Sequence, residues 1–202
     1  MNAPPVGAPE HLSADHDVSA FDSSVPELDV WLKRRALQNE ASGASRTYVV
    51  VAGGRVVGYY ALATGAVAQR EATGRVRRNM PEPIPVMVIG RLAVDREHQG
   101  KAVGSALLKD ALLRTVNAAS IAGIRAVLLH AISEDAKRFY EKAGFSSSPV
   151  DPMTLGSFFA PAPDRVQSRA QRQNNRACAG GGSARAVFPV LRRLVLGGIR
   201  SR

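Results

Sequence analysis

Arg91–Leu108, RLAVDREHQGKAVGSALL, is the stretch on which the fold turns. It begins inside an apolar run, Val86–Val94 (VMVIGRLAV), as expected of a strand covered on both faces. Glycines follow at positions 100 and 104. From Lys101 to Ala122, Val103, Leu107, Leu108, Ala111, Leu112 and Val116 then recur at helical spacing. A strand that passes through a glycine turn into a long helix leaves the first N–H groups of that helix unpaired and backed by its dipole, which suits a phosphate or pyrophosphate. Small residues at the points of approach keep Cβ atoms clear of such a ligand. The same turn also serves plain strand–helix packing, so the spacing alone leaves both uses open.

The flanking sequence extends the pattern. Downstream, Ile124–His130 (IRAVLLH) predicts a second strand and Ser133–Ala143 a helix, with Ser133 as N-cap and Glu134 and Asp135 in its positive first turn. Gly144 closes that helix and Phe145 opens another strand. Upstream, Arg46–Ala52 and Arg55–Ala63 are joined by Gly53-Gly54 and predict a β-hairpin. Pro26–Ala41 places Leu28, Trp31, Leu32, Ala36 and Leu37 on one face of a single helix, started at Ser23 or Ser24 with Pro26. Lys33, Arg34 and Arg35 lie beside that face. Between Val67 and Pro85, Arg70, Arg75, Arg77 and Arg78 face only Glu71, and the three prolines of PEPIP exclude regular helix and predict a fixed connector. Strand, turn, helix, strand, helix, strand is an α/β order.

Length and charge bound the rest. A chain of 202 residues suits one medium domain with an extension. The lone Cys178 cannot form an internal disulfide and no Cys/His cluster has ligand spacing, so a reducing compartment and no metal are expected. MNAPPVGAPEHL lacks the features of a secretory signal, and no apolar run approaches the ~18 residues of a membrane span. The expected location is the cytoplasm, with no membrane partner. The net charge of +10 sits mainly in the last 38 residues, where nine arginines meet no acid; the remainder carries eighteen basic against seventeen acidic residues. Residues 1–20 read as a flexible leader, 21–164 as the folded domain and 165–202 as a basic, disordered extension. Within that extension VFPVLRRLVLGG could form a short interfacial element, which Pro189 disfavours. The extension is either an RNA-binding arm or the product of GC-rich DNA read out of frame, the second being preferred.

Two motifs carry a resemblance. Gln99-Gly100-Lys101-Ala102-Val103-Gly104 is similar to the (Gln/Arg)-x-x-Gly-x-(Gly/Ala) loop of the GNAT acetyltransferases, and Ala136–Phe145 (AKRFYEKAGF) to their A-x-x-(F/L)-Y-x-x-x-G-F signature. Ala102 stands where glycine is usual, so it adds a methyl facing the pyrophosphate or shifts the turn. The resemblance implies an α/β GNAT fold: a mixed central sheet splayed between its two central strands and flanked by helices. It implies acetyl-CoA as donor, with Leu92, Ala93 and Val94 offering backbone hydrogen bonds to pantetheine and Gln99, Gly100, Lys101, Ala102, Val103, Gly104 and Ser105 wrapping the pyrophosphate. A backbone N–H of that strand would hold the oxyanion. Phe139 is expected to face the core. Tyr140, one step around the helix, would project into the cleft and, by resemblance, reprotonate the departing thiolate; a phenol with a pKa of about 10 holds its proton at pH 7.

Further segments narrow the family. VPELDVWLKRRALQNEASGASRTYVVV, GYYALATGAV, GRVRRNMPEPIPVMVIGRLAVD and DPMTLGSF, spanning Phe21 to about Phe158, resemble the acetyltransferase toxins of bacterial toxin–antitoxin modules. That likeness implies acetylation of the α-amino group of aminoacyl-tRNA, a block of translation, neutralisation by a ribbon-helix-helix antitoxin, and a homodimer. Lys33, Arg34, Arg35, Arg75, Arg77, Arg78 and Arg91 would line the approach of the tRNA acceptor end, or dock an acidic antitoxin segment. The α-amine of an aminoacyl ester is less basic than lysine's and needs no strong base. None stands out, and Glu97, His98 and His130 read as surface or capping groups. Two alternatives remain: a GNAT enzyme for a small amine or a protein N-terminus, and a catalytically weak nucleic-acid or partner-binding protein suggested by Ala102 and the basic extension.

Overall fold

A computed structural model describes residues 5–72, 76 and 78–158. In chain order the elements are β1 (Glu10–His11), α1 (Pro26–Arg34), α2 (Ala36–Ser42), β2 (Arg46–Ala52), β3 (Arg55–Val67), β4 (Ile84–Val94), α3 (Val103–Ala122), β5 (Ala126–His130), α4 (Glu134–Lys142), β6 (Ser146–Ser147) and β7 (Thr154–Phe158), with 3₁₀ turns at Gln69–Glu71 and Arg96–His98. The hairpin closes where expected. Gly53 and Gly54 both adopt positive φ, 58° and 81°, which a two-residue turn between right-twisted strands requires.

The seven strands form one sheet in the order β1-β2-β3-β4-β5-β7-β6. Every pairing is antiparallel except β4 with β5, so the sheet is mixed, as expected. Each face has its own cover. On the front, α1 and α2 set Trp31, Leu32 and Ala36 against Val49, Tyr59, Ala61 and Ala93. On the back, α3 rides close to the strands because Gly58 has no side chain: a Cβ there would meet Leu107 Cδ1 at 3.0 Å and Val50 Cγ2 at 3.1 Å. Tyr60, fully buried, donates its hydroxyl hydrogen bond to Asp110 of α3.

Three expectations are corrected. The single helix over 26–41 is two helices, because Arg35 leaves helical geometry (φ −121°, ψ −28°) while its N–H still donates to Trp31 O at 2.8 Å. The break rotates the second segment, so Leu37 is 43% exposed instead of joining Ala36 in the core. Val25, not Ser23 or Ser24, is the N-cap, since buried Ser23 spends its N–H and Oγ–H on Asp29 Oδ1. The leader does not stand apart from the domain: Glu10 and His11 pair with β2, and Leu12 is a core residue.

The connector before β4 is anchored, as its prolines predict. Gln69 donates from its backbone N–H to the Glu82 carboxylate and from Nε2 to Met80 O, and Val76 is buried with Ile84, Val86 and Ala126. Arg75 and Arg77 lie outside the described residues, as does the whole extension 165–202.

Candidate active site

The site begins with a bulge. Tyr60 pairs with Leu92 and Ala61 with Arg91, but Leu62 pairs with Ile89, which leaves Gly90 as the extra residue of β4. Just there the neighbouring strand departs: β5 pairs with β4 only from Val86 to Ile89. Beyond Ile89 one edge of β4 therefore pairs with no described strand. Asp95 N donates to Val57 O, so by strand alternation Ala93 and Arg91 turn their backbone groups to β3, and Leu92 and Val94 turn theirs to the vacated edge. Val94 O accepts from Gln99 Nε2 at 3.0 Å. The open groups are thus the Leu92 N–H and C=O and the Val94 N–H. Ala93, expected to share their role, instead faces β3 with its backbone and the front core with its methyl.

The loop that follows is held by a buried carboxylate. Asp95, 1% exposed, accepts from Glu97 N at 3.1 Å and Asp22 N at 3.2 Å, with Arg55 Nη1 3.8 Å away. His98 Nδ1 stands 3.6 Å from the same carboxylate. Asp95, Glu97 and His98 converge within 4.8 Å, but the cation at that point is the Arg55 guanidinium, which also bonds Glu97. The Gln99 side chain is turned inward, donating to Ser23 O at 3.1 Å as well as Val94 O. Its carboxamide fastens the loop to the leader and to β4, leaving its backbone N–H for other use.

From Gln99 to Ser105 none of the backbone N–H groups makes a hydrogen bond of normal geometry to a described residue; the first in α3 is Ala106 N to Ala102 O. Gly100 (φ 71°) and Ala102 (φ 60°) are left-handed, which curls these donors around one concavity. Ala102 therefore does not shift the turn. It adopts the glycine conformation at a cost of about 1 kcal/mol or more. Replacing Ala102 with glycine should remove that strain against a smaller loss from added freedom in the unfolded chain, a net gain of about 0.5 kcal/mol. Calorimetry should show a rise of about 1–2 °C in Tm, and acetyl-CoA should bind at least as tightly.

Tyr140 reaches this region through its neighbours. A Cβ on Gly104 would lie 3.6 Å from Val94 Cγ2 and 3.7 Å from Phe139 Cζ, so α4 packs against the start of α3 on the back of the split, and alanine would fit at 104 in ordinary contact. Ser133 caps α4 as expected, accepting from Ala136 N at 3.1 Å. The burial order is the reverse of that predicted: Phe139 is half-buried, whereas Tyr140 is 8% exposed, edge-on to Phe139 and Phe145. Its hydroxyl donates to no described residue and is not sealed from solvent. Burial pushes the phenol up to about 12, so it is a proton donor throughout the physiological range.

Residues 43–147 match the acetyltransferase (GNAT) domain family. A relative from Mycobacterium tuberculosis (strain ATCC 25618 / H37Rv), the tRNA-acetylating toxin, is 51% identical over 148 residues, which is 73% of this chain and 89% of that protein. The chain belongs to the GNAT acetyltransferases. Two solved structures share its fold. AtaT complexed with acetyl-methionyl-tRNAfMet superposes with a TM-score of 0.70 at 24% identity, covering 83% of this chain and 99% of that one. A tyrosine-to-phenylalanine mutant of the toxin AtaT, bound to the C-terminus of the antitoxin AtaR and acetyl-CoA, gives 0.65 at 25% identity over 76% and 93%.

The acetyltransferase uses acetyl-CoA, and its residues fit that donor. A run of unspent N–H groups with no carboxylate among them suits a pyrophosphate, Lys101 adds an exposed cation, and the free edge of β4 suits the amide-bearing pantetheine arm. When bound, acetyl-CoA supplies an electrophilic thioester carbonyl and a thiol leaving group. The basic residues divide. Arg46, Arg55, Arg96 and Arg114 are paired with acids, whereas Lys33, Arg34, Arg78 and Arg91 form no ion pair among the described residues, and Arg35 reaches only Gln38. Arg91 lies over the Trp31 ring at 4.6 Å from its centroid. Among the described residues, no helix is long and apolar enough to cross a membrane.

Proposed function

We propose that this acetyltransferase transfers an acetyl group from acetyl-CoA to the α-amino group of aminoacyl-tRNA in the cytoplasm, and so acts as a toxin that blocks translation. The single observation that carries the reading is the 51% identity to a tRNA-acetylating toxin across nearly the whole of that protein. The geometry agrees with it. Helices α3 and α4 close the back of the split, so in this reading an acceptor reaches it from the front, and α1, the connector and β4 would supply Lys33, Arg34, Arg78 and Arg91, which form no ion pair among the described residues. Cations left unpaired around an opening are what a polyphosphate chain requires.

In this reading the N–H groups of Gln99 to Ser105 hold the pyrophosphate and the free edge of Leu92 and Val94 holds pantetheine. The Leu92 N–H, on the vacated edge beyond the bulge, stabilises the oxyanion, and Tyr140 returns a proton to the departing sulfur. A ribbon-helix-helix antitoxin neutralises the protein, in keeping with the AtaR complex of its structural neighbour. The homodimer implied by resemblance belongs to the same reading and is checked by the solution mass.

Acetylation of charged against uncharged tRNA tests the substrate directly: product only with charged tRNA supports it, and turnover with neither, or equal turnover with both, defeats it. Glutamate at Arg78 or Arg91 should weaken tRNA binding at every sequence and lower the slope of log K against log salt by about 0.7–0.9 per lost phosphate contact. An unchanged slope in both variants would remove these arginines from the tRNA path.

A further inference from the structure

The front of the sheet is covered in two separate patches. One is the α1/α2 cluster around Tyr59, Ala61 and Ala93; the other is the connector cluster around Val67, Ile84, Val86 and Ala126. Register places both on one face, since residues 59, 61, 63, 65 and 67 of β3 alternate to the same side. Between the patches lies a thinly covered band, where Ala63 is partly buried, Val88 and Leu128 are partly buried against the connector cluster, and Gly90 is exposed. The band crosses the sheet at the level where β4 and β5 part. His130, the last residue of β5, shares the face of Ala126 and Leu128 and stands at that level with its side chain 63% exposed.

Two groups hold the His130 ring. Nδ1 lies 3.2 Å from Thr154 Oγ1 and 3.4 Å from Asp151 Oδ2. Thr154 has already spent its hydroxyl hydrogen on Asp151 Oδ2 at 2.6 Å, and Met153 N donates to Asp151 Oδ1 at 3.0 Å. Those two bonds, with His130 nearby, hold the Asp151 carboxyl below its ordinary range, so it is an anion. Everything facing Nδ1 is therefore an acceptor. The neutral ring must carry its proton on Nδ1, which leaves the Nε2 lone pair directed outward, without a partner among the described residues.

From this arrangement we infer that His130, oriented by Thr154 and Asp151, is the proton acceptor for the incoming amine. The inference rests on the acetyl-transfer reading but not on which amine is acetylated. Nε2 takes the proton that the amine loses as its nitrogen bonds to the acetyl carbon. Tyr140, from the back of the split, gives its proton to the sulfur as the C–S bond breaks. His130 then releases its proton to water and Tyr140 regains one, which restores both residues. Asp151 is a positioning residue: it never meets the amine and acts by fixing the tautomer.

Steady-state kinetics of His130→Gln and nitrogen-15 NMR of histidine-labelled wild type test this together. Because an aminoacyl amine is already partly neutral, the kcat of His130→Gln should fall about 30-fold, below the usual contribution of such a group, with KM within about 2-fold. Added imidazole should restore much of the loss, since the site is open. Binding of His130 in the Nδ1–H tautomer should appear in the NMR spectrum, assigned by its absence in the variant, and Asp151→Asn should shift it toward Nε2–H. An unchanged kcat, a change confined to KM, or an Nε2–H tautomer in wild type overturns the inference. If wild type instead acetylates a small amine and no aminoacyl-tRNA, the substrate proposal fails while the same kcat ratio, measured on that amine, still judges His130.

Discussion

Replacing Tyr140 with phenylalanine should lower kcat about 10³-fold while leaving acetyl-CoA affinity within about 3-fold. The ring is what packs: it meets Phe139 and Phe145 edge-on, and phenylalanine preserves both contacts. The hydroxyl bonds no described residue, so its removal strands no partner and stability should change by less than about 1 kcal/mol. Only the proton is lost. Isothermal titration with acetyl-CoA separates binding from turnover, and a variant that retains more than a tenth of wild-type kcat would show that the leaving sulfur draws its proton from elsewhere. The pH dependence has a definite sign. With the phenol pushed up to about 12 by burial, wild-type kcat should show no alkaline loss from Tyr140 at pH 10, where an ordinary tyrosine is half ionised. The unfolded phenol ionises first, so the stability linked to its burial is complete below about pH 10 and disappears as pH rises through about 12.

The second large effect should come from a residue that touches no substrate. Asp95→Ala should destabilise the domain by about 3 kcal/mol, because it strands Arg55, the Asp22 and Glu97 N–H groups and the buried His98 ring around one missing carboxylate. A loss of that size corresponds to roughly 6–12 °C in Tm for a domain of this length. Acetyl-CoA affinity should fall more than tenfold, since the first unspent N–H groups of the loop begin four residues later. Chemical denaturation and titration of the same preparation check both parts. A Tm within 2 °C of wild type would mean the surrounding donors find water instead.

How much of this was legible in the sequence follows from what each residue answers to. Strand and helix identities come from local periodicity, and Arg46–Ala52 of the hairpin is recovered to the residue because β-branched and aromatic residues run between glycines. The loop between β4 and α3 is legible as a glycine turn for the same reason, since its N–H groups and small residues are contiguous in sequence, while the spacing alone leaves phosphate binding and plain packing both open. Arg35 breaks a helix that periodicity treats as continuous, since nothing local marks the change. The leader docks through Leu12 against residues far along the chain, and no window of sequence contains both sides. His130 reads as a surface or capping group in the sequence for a related reason. Asp151 and Thr154 lie more than twenty residues away and meet it only through the β5–β7 pairing. The resemblance gives Ala93 a backbone role, whereas strand alternation turns its backbone groups to β3.

The parting of β4 from β5 separates two approaches to one point. In the proposed function the donor occupies the back and the free edge while the acceptor enters from the front, so neither substrate has to leave before the other can enter. Direct transfer within a ternary complex follows, with no acyl group parked on the protein in between. In the proposed function a long RNA acceptor then stays docked while small donor molecules come and go behind it, and the order of departure need not copy the order of arrival.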